Sequence, residues 1–184
     1  MVNIRNKQLK QLIINAQFAV IISIIAQFTI PLGLVPLTGQ TFAIGIVATI
    51  LSPINSTIAV LVYLLMGIIG LPVFAGFSSG ISILFGPTGG YLIGFIFNTL
   101  VTGFILQKTR YTLPWAIMAN IAGALVTLLF GTLWLKIAAD MSWLIAINSG
   151  FTTFIIPGII KAIAASFVGL FIRNALVKAR LVVE

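Results

Sequence analysis

Gly70–Leu92 reads GLPVFAGFSSGISILFGPTGGYL. The stretch is as apolar as a membrane span and carries no charge. Yet six glycines (Gly70, Gly76, Gly80, Gly86, Gly89, Gly90) and two prolines (Pro72, Pro87) interrupt it. Glycine admits backbone conformations closed to other residues, and proline withholds a helix donor. At membrane depth, irregular backbone survives only where protein covers it or where it borders a wet cavity. The reading is a folded, partly buried loop between two helices, and long self-packed loops commonly carry function.

The composition around it agrees. Of 184 residues, 60% are hydrophobic and 7% charged, with a mean hydropathy of +1.24. A soluble domain carries about 25% charged residues, so this is an integral membrane protein. Apolar runs of about twenty residues recur, which indicates helices rather than the alternation of a barrel. The fold expected is all-α: a six-transmembrane-helix bundle with a structured, Gly-rich outer loop, all of 1–184 forming one membrane domain.

The lead-in is 1–11, with Arg5, Lys7 and Lys10. Six spans fill 12–172: about 12–30, 40–51, 57–69, 91–106, 113–135 and 146–172. The second and third are short for a full crossing and read as a tight hairpin, tilted or partly buried. The tail is 173–184. Starting in the cytoplasm, the N-terminal cluster, Lys108/Arg110 and the tail's Arg173, Lys178 and Arg180 all fall inside, leaving Lys136 and Asp140 outside. That obeys the positive-inside rule and places both termini in the cytoplasm. The net charge of +8 is therefore topology, and no nucleic-acid partner is expected.

There is no cysteine and no histidine, and the acids are Asp140 and Glu184. No metal site, carboxylate pair or acidic proton relay can be assembled from these, so neither an enzyme nor a cofactor is expected. The glycine loop lacks GxxxxGK[ST] and GxGxxG, so it is no nucleotide cradle. GPTGG reads instead as close backbone packing at the start of a helix.

Lys161 is the sharpest feature. It lies deep in FTTFIIPGIIKAIAAS, and no intramembrane acid exists to pair with it. A lysine there costs about 2.5–3.5 kcal/mol on insertion scales. Two readings are open. The counter-ion is a ligand's carboxylate or another strong acceptor, or Pro157 breaks the helix and the lysine snorkels to the headgroups. Gln40, Thr41, Ser78, Ser79 and Tyr91 are neutral hydrogen-bonding groups at the same expected level. With walls from Phe74, Phe77 and Phe85 they suit a small amphipathic acid. On the first span Ala16, Ala19 and Ser23 form a small-residue face, which either packs inside the bundle or docks another membrane protein.

VPLTGQTFAI, YLLMGIIGLPVFAGFSSG, LFGPTGGYLIGF and IKAIAAS together resemble the BioY family, the biotin-binding S components of energy-coupling factor transporters. The resemblance covers nearly the whole chain up to Lys161. It implies a six-helix vitamin-binding subunit in a prokaryotic cell membrane. Its pocket would lie near the outer face under the first and third outer loops. It would work with a membrane coupling (T) subunit and two cytoplasmic ATPase subunits, and Ala19 and Ser23 would meet the coupling subunit. The implied ligand is biotin, held by Lys161, Tyr91 and Gln40, with Gly89 and Gly90 in the same motif. Two positions depart from the family's pattern: Gly158 stands where an acid is common, and Leu92 where some members have arginine. The alternative from another class is a self-sufficient secondary transporter or channel for a small organic acid. It lacks the acidic residues that ion coupling usually needs.

Overall fold

The computed structural model describes residues 4–182. Residues 1–3 of the lead-in and 183–184 of the tail, including Glu184, lie outside the described residues. The chain is mostly helical: α1 Ile4–Ile25, α2 Gln40–Ile50, α3 Pro53–Ile68, α4 Ser82–Phe85, α5 Gly89–Lys108, α6 Leu113–Ala138, α7 Trp143–Ile147 and α8 Thr153–Lys178. Among the described residues, four helical stretches are long and apolar enough to cross a membrane: Gln8–Ile25, Gly89–Lys108, Leu113–Ala138 and Trp143–Lys178. α2 and α3 are shorter apolar helices.

Local chemistry sets the boundaries. Pro53 opens α3 and Pro114 lies in the first turn of α6, where a missing N–H removes no helical bond. Leu51 and Ser52 alone separate α2 from α3, as the expected hairpin requires. The first span is shorter than expected. α1 ends at Ile25, and the chain turns into a small antiparallel ribbon, β1 Thr29–Ile30 with β2 Leu37–Thr38. Thr29 faces Thr38 in it. Pro31 and Pro36 bracket the ribbon's loop, and Gly33 there has φ +93°.

Pro157 does not break the last helix; α8 runs through it. A π-helical turn, Asn148–Thr152, joins α7 to α8 just upstream, a common local adjustment in helices at functional sites. The expected span at 146–172 is thereby lengthened in both directions.

α2 is central, packed by α8, α5 and α1, with nine of its eleven residues buried. The core around it contains Ile22, Ile44, Val47, Val60 and Phe95. Polar side chains tie the helices across this apolar interior, where no water competes for them. Asn98 Nδ2 donates to Thr127 Oγ1 at 3.0 Å, and Asn120 Nδ2 to Thr49 Oγ1 at 2.9 Å and Ser166 Oγ at 3.0 Å.

Arg173, expected in the tail, is instead buried. Its guanidinium donates to the carbonyl of Ile50, the last residue of α2, and lies 3.5 Å from the centre of the Tyr111 ring. A cation at a helix C-terminus satisfies orphan carbonyls and opposes the helix dipole. The two described chain ends meet at this end of the bundle, where Lys10 Nζ donates to Arg180 O at 2.8 Å.

The small-residue face of α1 is divided between core and surface. Ala19 is fully buried and Ser23 nearly so, with Ser23 Oγ donating to Ala19 O at 2.9 Å. Both pack against the chain's own core. Ala16 is exposed.

Candidate functional site

Gly70–Thr88 folds back over one end of the bundle and is fastened on both sides. Gln27, just after α1, accepts from Phe77 N at 2.8 Å and donates to Val73 O at 3.2 Å. On the far side Trp134 Nε1 of α6 donates to Gly86 O at 3.0 Å. Gly80 N returns to Gly67 O at 2.8 Å. Gly70, Gly76 and Gly80 have φ of +106°, +65° and +97°, so the turns use the left-handed region that glycine enters without strain. Phe74 is driven inward. Its ring sits where a side chain on residue 67 would be, with a Cβ there falling 2.1 Å from Cζ. It also meets Tyr63 edge-on at 5.6 Å.

Beneath this segment lies a cavity of about 210 Å³. Its walls come from β2, the start of α2, the Phe74–Ser78 turn, α5, α6 and α8. Most of the lining is apolar: Val35, Leu37, Phe74, Phe95, Leu128 and Phe154 among others. Lys161 is the charged residue on the wall, and the wall contains no acid. Its Nζ donates to the carbonyl of Thr38 at 3.0 Å, and an ammonium has three protons to place.

The structure brings together Lys161, Tyr91, Gln40, Thr41, Ser78 and Phe74 on this wall. The Gln40 amide is hydrogen-bonded to the Tyr63 hydroxyl at 2.7 Å and to the Thr38 hydroxyl at 2.9 Å. The Tyr91 hydroxyl donates to Gly150 O at 2.8 Å, so α5 braces the π turn and the tyrosine offers the cavity its ring. Ser78 Oγ closes its own turn on Ala75 O at 2.8 Å. Thr41 Oγ1 is buried and has no hydrogen-bond partner among the described residues.

Other expected members fall elsewhere. Ser79 is not on the wall. Gly89 and Gly90 serve packing: a Cβ at Gly89 would meet Leu84 O at 1.8 Å, and one at Gly90 would meet Trp134 Cβ at 2.2 Å. Phe77 and Phe85 are 69% exposed and not on the wall; the aromatic walls are Phe74, Phe95, Tyr91 and Phe154. Gly158 and Leu92, the two departures from the family's pattern, both line the cavity. Sequence reading missed Thr38 and Tyr63. Thr38 carried a signal, standing two residues before Gln40 in VPLTGQ. Tyr63 carried none, and neither did Phe95, Leu128 or Phe154, because cavity-facing and lipid-facing side chains of a membrane bundle are equally apolar.

The bundle has four bilayer-length apolar helices and contains a small, mostly apolar chamber with a single cation on its wall. It defines a multi-pass membrane protein that holds a small molecule. More particularly, the chain belongs to the BioY family, whose sequence profile matches residues 2–178. It is 44% identical over 173 residues to biotin transporter BioY2 of Lactococcus lactis subsp. cremoris, covering 94% of both chains. It is 36% identical over 167 residues to the biotin transporter BioY of Thermotoga maritima, covering 90% of this chain and 97% of that one. Its fold is similar to the crystal structure of the S-component for biotin from an ECF-type ABC transporter. The TM-score is 0.85 at 29% identity, over 95% of each chain. This is a family of transport subunits and not of enzymes.

Proposed function

We propose that the chain is the biotin-binding membrane subunit of an ATP-driven vitamin uptake transporter, with no catalytic activity and no cofactor of its own. Its relatives' names and its structural neighbour support biotin as the ligand. The observation in this chain that carries the reading is Lys161: a cation on a mostly apolar cavity wall whose bond among the described residues is to one neutral carbonyl. A bound carboxylate supplies the missing charge, and the apolar walls take the rest of a small amphipathic acid. Thr41 Oγ1 and the Gln40 amide face it as neutral polar anchors, with Ser78 beside them. Tyr91 and Phe74 form walls. Ser79 acts only through the shape of the covering segment, and Gly89 and Gly90 through the close packing at the start of α5. With Gly158 and Leu92 in place of an acid and an arginine, the ligand's other polar end rests on neutral groups.

In this reading 1–184 is one membrane unit crossing six times, through α1, α2, α3, α5, α6 and the α7–α8 rod. Both termini are cytoplasmic in a prokaryotic cell membrane, and the cavity lies under the structured glycine-rich segment near the outer face. The chain has no nucleotide motif, and concentrative uptake needs free energy, so a membrane T subunit and two cytoplasmic ATPase subunits supply it.

The test is calorimetric titration of the detergent-solubilised chain with biotin. Saturable heat at micromolar or lower concentration is expected; no heat and no tryptophan quenching would remove biotin as the ligand.

A further inference from the structure

We infer that Tyr63, which does not touch the cavity, decides what the cavity wall offers next to Lys161, and that its effect is to present a second proton donor, the Thr38 hydroxyl, to a carboxylate. The inference rests on the proposed reading of the cavity as a biotin site.

Tyr63 is 0% exposed, and among the described residues its hydroxyl is bonded only to the Gln40 amide. The oxygen and nitrogen of that amide are assigned by hydrogen-bond chemistry. With the nitrogen on the Tyr63 side, the phenol accepts and its own proton faces no acceptor in a dry interior, which is unfavourable. With the amide turned over, the buried phenol proton is placed, and the proton left over belongs to Thr38 on the cavity wall. The Tyr63 O–H donates to the amide oxygen, and the amide N–H₂ donates to Thr38 Oγ1 across the 2.9 Å contact. Thr38 Oγ1 also receives the backbone N–H of Gln40 at 3.3 Å. Both lone pairs of the threonine oxygen are then occupied, so Thr38 can only donate. Thr38 lines the cavity, and its carbonyl already holds Lys161 Nζ at 3.0 Å. One residue thus anchors the ammonium and sets a hydroxyl proton beside it. Two converging donors suit an acceptor-only group, and the carboxylate is the acceptor that also supplies the missing charge.

Tyr63 is a positioning residue, and the readout is selectivity. The experiment titrates the full chain with biotin and with biotin methyl ester, which keeps the ring system and removes the anion. Wild type binds the acid more tightly. In Tyr63→Phe the amide no longer has a phenol to accept, and it recaptures the Thr38 proton. The acid then weakens about tenfold, the scale of one hydrogen bond to a charged group, while the ester changes little. The acid-to-ester ratio falls by the same factor. Thr38→Val reproduces that fall and Thr38→Ser does not. An equal loss for acid and ester in Tyr63→Phe, or an unchanged ratio in Thr38→Val, overturns the inference. A measurement without ligand runs beside it: the phenol C–O stretch, isolated as wild type minus Tyr63→Phe, reports whether Tyr63 donates or accepts. An accepting phenol overturns the inference. If wild type binds neither compound, the biotin reading fails, and the vibrational result alone decides the orientation of the Tyr63–Gln40–Thr38 chain.

Discussion

Lys161→Met separates the two ways a lysine can sit in a membrane helix. Methionine keeps the length and bulk of the stem and removes the charge. In this structure the ammonium reaches the carbonyl of Thr38 in β2 at 3.0 Å, and both residues line the chamber. In the proposed complex the ammonium and a ligand oxygen anion face each other on this apolar wall. Truncating one partner of a buried, hydrogen-bonded charge pair costs about 2–5 kcal/mol, which at 1.4 kcal/mol per decade is about thirty-fold to several thousand-fold in Kd. Folding should move the other way. An uncompensated lysine in a span is unfavourable by about 2.5–3.5 kcal/mol on insertion scales. Part of this is offset by the Thr38 bond, so the methionine variant should be as thermostable as wild type or more so without ligand. The assay is paired: calorimetric titration with biotin, and thermal unfolding of the empty protein in the same detergent. Wild-type affinity in Lys161→Met would refute the reasoning. Lost binding together with a large fall in thermal stability would show a structural lysine instead.

The covering segment and the first helix give two further expectations. Gly67→Ala places a methyl group 2.1–2.5 Å from ring atoms of Phe74; that ring is fully packed and can retreat only into the cavity, so biotin affinity should fall at least tenfold with far-ultraviolet circular dichroism unchanged, and unaltered affinity would show that the ring has another place to go. Ala19→Trp should lower thermal stability sharply, because Ala19 is fully buried and overpacking a filled core costs about 1–3 kcal/mol or more. Ala16→Trp, on the exposed side of the same helix, should leave folding and biotin titration intact, and reconstituted uptake with coupling and ATPase subunits then reports whether that side meets the partner.

The membrane class was written in composition. With 7% charge, no packing arrangement can make this chain comfortable in water, so the solvent is decided before any helix is placed. The helix ends were legible where a residue acts locally: Pro53 and Pro114 work through their own missing N–H. The turns at Gly70, Gly76 and Gly80 were legible for the same reason, since backbone freedom belongs to the residue itself. Lys161 stood out because a lone cation among apolar residues needs a partner wherever the fold puts it.

What the tertiary structure alone decided is direction and pairing. Ala19 and Ser23 face inward and Ala16 outward, although the three share one face by spacing, because the neighbouring helices determine which flank is covered. Arg173 looks like a tail charge in sequence and is instead the cap on α2, 123 residues away in the chain. Thr38 met Lys161, and Tyr63 met Gln40 behind the wall, only when β2, α2, α3 and α8 came together. In a soluble protein the apolar side of a helix marks its inside, but a bilayer makes both sides apolar. Periodicity then says little about where a side chain points, and the cavity wall of Phe95, Leu128 and Phe154 exists only as a property of the assembled bundle.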